Sequence, residues 1–146
     1  MIESSFLPPD VSGLVAALAI GLLIGLERGW QDRELPEGSR VAGLRTFTLT
    51  GLLGGVLGHL QPNFGAWPLV AAVLGLSLLL TVSYARTAKL SGNLSATTTI
   101  AMLLTLVLGA YASHGNVTLA LTAAVIVAVF LDLKPTLHGW LRLIEH

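Results

Sequence analysis

Two charged side chains stand next to each other at the end of "GLLIGLERGW": Glu27 and Arg28. A third, Arg45, opens the apolar run "RTFTLTGLLGG", with Thr46 beside it. A carboxylate and a guanidinium at one depth can do either of two things. They can neutralise each other and fix the register of two neighbouring segments, or they can line a polar vestibule for a small charged solute. Thr97 and Thr98, in "SATTTIAMLL", could supply hydroxyls to such a cluster or hydrogen-bond the preceding helical turn and act as packing glue. His59 and His114 both fall at predicted helix ends, where a shared metal site would need a third ligand that the sequence does not offer. No nucleophile–base pairing, phosphate-binding loop or dinucleotide fingerprint is present. The reading is therefore non-enzymatic, with no cofactor and no metal site.

The elements that must position these residues are set by composition. Only 11% of residues are charged, 53% are hydrophobic, the formal net charge is zero and there is no cysteine. The mean hydropathy is +0.78. A soluble domain of this size needs far more polar surface to cover its core. Zero net charge gives no reason to expect nucleic-acid binding, and the missing cysteines exclude thiolate sites and disulfides. The start "MIESSFLPPD" has no basic region of the kind that opens a cleaved signal peptide. The lipid bilayer is the expected surrounding.

Five apolar segments follow, Val11–Leu26, Thr46–Leu60, Trp67–Ser83, Thr97–Ala112 and Val117–Leu133. Each is 15–17 residues, slightly short of the roughly 20 needed to cross a hydrocarbon core. No period-two alternation is visible, so they are predicted as helices and not barrel strands. All eight Lys and Arg residues flank the first loop, the third loop or the end of the fifth segment. With five spans these regions share one side, which the distribution of Lys and Arg makes cytoplasmic. The expected fold is an all-α integral membrane bundle of about five transmembrane helices, N-terminus outside and C-terminus cytoplasmic. Residues 1–134 form the transmembrane domain. Residues 135–146 read as an amphipathic cytoplasmic tail or the start of a further domain: Leu137, Trp140, Leu141 and Ile144 share one helical face.

Small residues recur every fourth position through the first segment: Gly13, Ala17, Gly21, Gly25 and Gly29. The second segment has Gly51 and Gly55 at the same spacing, and Gly54 and Gly58. Inside lipid, helices associate through close backbone approach at small residues. Gly21, Gly25, Gly29, Gly51 and Gly55 are thus a helix-packing face within the bundle or a face between subunits, and a homo-oligomer, a dimer first of all, is expected. Glu27 ends the first segment and Arg45 begins the second. Antiparallel neighbours would bring the two to one depth, so a direct or single-water contact between them is expected, with Arg28 solvated or at lipid headgroups.

"IGLLIGLERGW" followed by "AGLRTFTLTGLLG" resembles the signature of the MgtC/SapB membrane-protein family. "SGNLSATTTIAMLLTLVLGAY" is similar to its Thr-Thr segment in a later span, and "LKPTLHGWL" to a branch that continues into a second hydrophobic domain. The resemblance covers almost the whole chain and singles out Glu27, Arg28, Gly43, Arg45 and Thr46, with Thr97 and Thr98. It implies a multi-pass protein of the bacterial or archaeal cytoplasmic (inner) membrane, linked to magnesium homeostasis. Magnesium takes six hard oxygen ligands, usually including one or two carboxylates. The carboxylates near the spans here are Asp10, Glu27 and Asp132. Two functions stay open: a regulatory or adaptor module that binds other membrane proteins, and a transporter or channel subunit for an ion or small charged solute.

Overall fold

The computed structural model describes residues 8–34, 42–91 and 96–133. Five helices occupy them: α1 (Pro9–Gln31), α2 (Leu44–Phe64), α3 (Trp67–Ser91), α4 (Ala96–His114) and α5 (Val117–Asp132). The segment 135–146 lies outside the described residues.

Each helix starts or stops where local chemistry requires. Pro9 takes the first turn of α1, where its preset φ fits and its missing N–H costs nothing; Asp10 beside it faces the positive end of the helix dipole. Gly65 ends α2 with φ +67°, a left-handed conformation that glycine adopts without a Cβ penalty. Asn116 caps α5, its side-chain oxygen accepting from the Leu119 N–H at 3.0 Å. The first four helices outrun their apolar segments, whereas α5 stops one residue short of its own. α1 reaches Gln31, and its 23 residues span about 34 Å, enough for a hydrocarbon core about 30 Å thick.

Helices α1, α2 and α4 form the centre. Their buried residues include Ile20, Ile24, Phe47, Met102 and Leu106, but glycine decides how close they come. A Cβ on Gly21 would stand 2.5 Å from the Phe47 carbonyl oxygen, and one on Gly51 2.5 Å from that of Ala17. On Gly58 it would collide with the Ala110 carbonyl, and on Gly54 with that of Leu106. Backbone therefore lies on backbone at these crossings, a geometry in which Cα–H groups approach carbonyl oxygens directly. The pairings give direction. Gly21 meets Phe47 and Thr48 while Gly55 meets Ala17, so α1 and α2 are antiparallel. Thr50 meets Met102 while Gly58 meets Ala110, so α2 and α4 are parallel. Helix α5 rests on α1 and α4, and α3 has smaller interfaces with α2 and α4.

Among the described residues, three helices are long and apolar enough to cross a membrane: Pro9–Gln31, the Trp67–Arg86 part of α3, and Ala96–His114. Helix α5 is equally apolar but has 16 residues; α2 is diluted by glycines, threonines, Arg45 and His59. The exterior is apolar too. Leu74, Leu78 and Leu79 on α3 and Val125, Ile126 and Phe130 on α5 are all exposed. Water does not tolerate so continuous an apolar surface. The chain is an all-α, multi-spanning membrane bundle.

Candidate functional site

The buried stripe of α1 runs Gly13, Ala16, Ala17, Ile20, Gly21, Ile24, Gly25 and then Arg28. The helical period thus carries the apolar face straight into a guanidinium, 4% exposed, and neighbouring Glu27 has a side chain 10% exposed. Adjacent residues on a helix point about 100° apart, so they do not ordinarily meet. Here both side chains turn toward each other and form a two-pronged ion pair: Arg28 Nε donates to Glu27 Oε2 at 2.6 Å and Arg28 Nη2 to Glu27 Oε1 at 2.7 Å. Such charge-assisted forks are the stronger kind of hydrogen bond.

Arg28 Nη2 also donates to the Leu131 carbonyl oxygen of α5 at 3.3 Å. That carbonyl belongs to the last turn of α5, where four C=O groups lack intrahelical partners. One turn on, Gln31 Nε2 donates to Asp132 Oδ1 at 3.2 Å, at an exposed position. The C-terminal ends of α1 and α5 are therefore side by side, and the two helices run parallel. Leu131 and Asp132 bind these side chains although neither stands out in the sequence as a partner of the Glu-Arg pair.

The direct contact expected between Glu27 and Arg45 is not formed, and Arg28 is buried, not solvated. Glu27 already has a partner next door in sequence. Arg45 is exposed in the first turn of α2, with no hydrogen bond or ion pair to Glu27. Thr46 is exposed beside it, and its carbonyl accepts from Thr50 Oγ1 at 2.7 Å. Thr97 and Thr98 are half-buried in the first turn of α4. Among the described residues, no hydrogen bond joins either of them to Glu27, Arg28 or Arg45. The six polar positions thus separate into one buried pair and residues at other helix ends.

The glycine positions separate as well. Gly21, Gly25, Gly51 and Gly55 are buried between α1 and α2, and a side chain on any of them would overlap a neighbour. Gly29, the last rung of the ladder, has nothing within 4 Å of where its Cβ would be. At the other end of the bundle His59 Nδ1 lies 3.8 Å from Asp10 Oδ1. His114 instead lines a pocket with Gln61, Leu69, Val107, Ala110 and Tyr111. Among the described residues, no group of three or more His, Asp or Glu is placed to hold a metal ion.

No curated protein and no solved structure matches the chain. A protein family does match, over residues 14–140, from just after the first rung of the glycine ladder past the end of α5. The chain belongs to the MgtC family.

Proposed function

We propose that the chain is a regulatory or adaptor module of the bacterial or archaeal cytoplasmic membrane, linked to magnesium or ion homeostasis and acting through other membrane proteins. In this reading it crosses the membrane five times, N-terminus outside, and residues 135–146 follow on the cytoplasmic side. The observation that carries the reading is the closure of the centre. Helices α1, α2 and α4 meet backbone to backbone at Gly21, Gly51, Gly54 and Gly58. A solute path needs polar groups or water in that place. The buried charges are spent on each other and on α5, while wide apolar faces of α3 and α5 are turned outward, where lipid or protein can pack.

Apart from Gly29, the glycines inside α1 and α2 are used within the chain, so self-association falls to the outer faces of α3 or α5, and a homodimer is the simplest closed arrangement.

The test is reconstitution of the purified protein in phosphatidylethanolamine–phosphatidylglycerol vesicles containing a magnesium-sensitive dye. The expected result is no protein-dependent influx, while the same protein alters growth of a bacterial host under magnesium limitation. Influx that scales with protein would replace this reading with the transporter or channel subunit.

A further inference from the structure

We propose that the Glu27–Arg28 pair is a latch for α5: Arg28 caps the last turn of α5 from outside, and the latch sets where that helix ends relative to α1. Among the described residues, the tight glycine contacts between helices join α1, α2 and α4 and none involves α5. Those three helices have no room to slide. Helix α5 is held by ordinary side-chain packing through Ala120, Ala124 and Leu131. Its directional anchor at the C-terminal end is the Arg28 bond to the Leu131 carbonyl, with the exposed Gln31–Asp132 bond beside it.

A cation at a helix C-terminus satisfies orphan carbonyls and opposes the negative end of the dipole. A buried arginine without a counter-charge would be too costly at this depth. Glu27 supplies the counter-charge and holds the guanidinium plane through Nε and Nη2, and Nη2 donates to the Leu131 carbonyl as well. Buried ion pairs are often replaceable by apolar residues with no loss of stability. What an apolar replacement cannot do is mark one carbonyl of one helix. The pair therefore acts on the position of the α5 end.

The chain has no cysteine, so paired cysteines report cleanly. One pair, Gln31→Cys with Asp132→Cys, reads the latch end of α1 and α5. A second, Asp10→Cys with His59→Cys, reads the opposite end of α1 against α2, where the native side chains are 3.8 Å apart and exposed. Each is bridged by a short bifunctional thiol reagent in membranes. In Arg28→Gln the rate at the first pair should fall about ten-fold, the scale of a lost hydrogen bond to a charged group, with the second pair unchanged. Because a lone buried Glu27 could unfold the protein, the volume-matched double variant Glu27→Leu/Arg28→Met is the deciding one. Retention of the second bridge with loss of the first establishes the latch. An unchanged first bridge overturns it. Loss of both bridges in the double variant also overturns it, because the pair would then support the whole bundle and not α5.

Discussion

Gly109 of α4 is seated on Gly51 of α2 so closely that a Cβ on Gly109 would overlap the Gly51 carbonyl oxygen. Neither partner can give way, because the obstacle is backbone. Gly51 is in turn pressed against α1, where its own Cβ would lie 3.0 Å from the Gly21 Cα. Overpacking a core costs about 1–3 kcal/mol even where side chains can adjust. Gly109→Leu should therefore lower the thermal midpoint in detergent sharply or prevent recovery of folded protein. Gly29→Ala is the control, since Gly29 has open space around it. It should be neutral or stabilising by up to ~1 kcal/mol through helix propensity. Equal effects of the two substitutions would rule out backbone contact as the reason for the glycines.

Much of this architecture was legible locally. Each apolar segment became a helix, because hydrophobic content and missing alternation are properties of a short window. The four-residue ladder was visible too, yet spacing alone could not say which helix each rung would meet. The direct Glu27–Arg45 contact is absent for a related reason. It requires the chain neighbours α1 and α2 to share their charges, whereas Glu27 turns to Arg28 and the pair turns to α5, 103 residues on. A clue was present in the stripe Ile20, Ile24, Gly25, Arg28, which puts Arg28 on the buried face by period alone. Its partner is a main-chain carbonyl, and a backbone acceptor leaves no mark in a sequence.

Ser113 gives a prediction of opposite sign. Its Oγ is buried and is the one such side-chain atom without a hydrogen-bond partner among the described residues. It lies where a Cβ on Gly13 would be 3.1 Å away and one on Gly55 3.2 Å away. A buried polar atom left unpaired costs about 1–3 kcal/mol, so Ser113→Ala should stabilise or leave stability unchanged. Thr105 is also fully buried, but its hydroxyl donates to the Ala101 carbonyl at 2.7 Å. Thr105→Ala should destabilise by opening a void and removing that bond. A clear loss of stability in Ser113→Ala, measured by thermal unfolding in detergent, would reveal a partner for Ser113 in the membrane.

Sidedness can be tested at three exposed positions. Asn63 precedes the end of α2, Asn116 caps α5, and Arg45 lies in the first turn of α2. If the cations are cytoplasmic, single cysteines at Asn63 and Asn116 should react with an impermeant reagent added to intact cells. A cysteine at Arg45 should react only after the membrane is opened. Labelling of the Arg45 position from outside would reverse the proposed orientation. Failure of only one asparagine position to label would break the five-span count.

The three charges at the ends of α1 and α2 differ in what they are worth. Glu27 and Arg28 are enclosed and fully engaged with each other, whereas Arg45 is exposed. Breaking a buried pair by removing one partner typically costs about 3–5 kcal/mol, because the other charge is left behind. Glu27→Gln and Arg28→Gln should each approach that loss. An exposed charge is worth about 0–1 kcal/mol, so Arg45→Gln should be nearly silent. The cycle built on Glu27 and Arg28 should then be strongly non-additive, the double variant costing much less than the two single losses combined. The cycle built on Glu27 and Arg45 should add to within about 0.5 kcal/mol, as independent sites do. Reversible unfolding in one detergent supplies all the numbers. Coupling of Glu27 to Arg45 and not to Arg28 would mean that the guanidinium of α2 replaces that of α1 in the membrane, and the anchor on the Leu131 carbonyl would be lost with it.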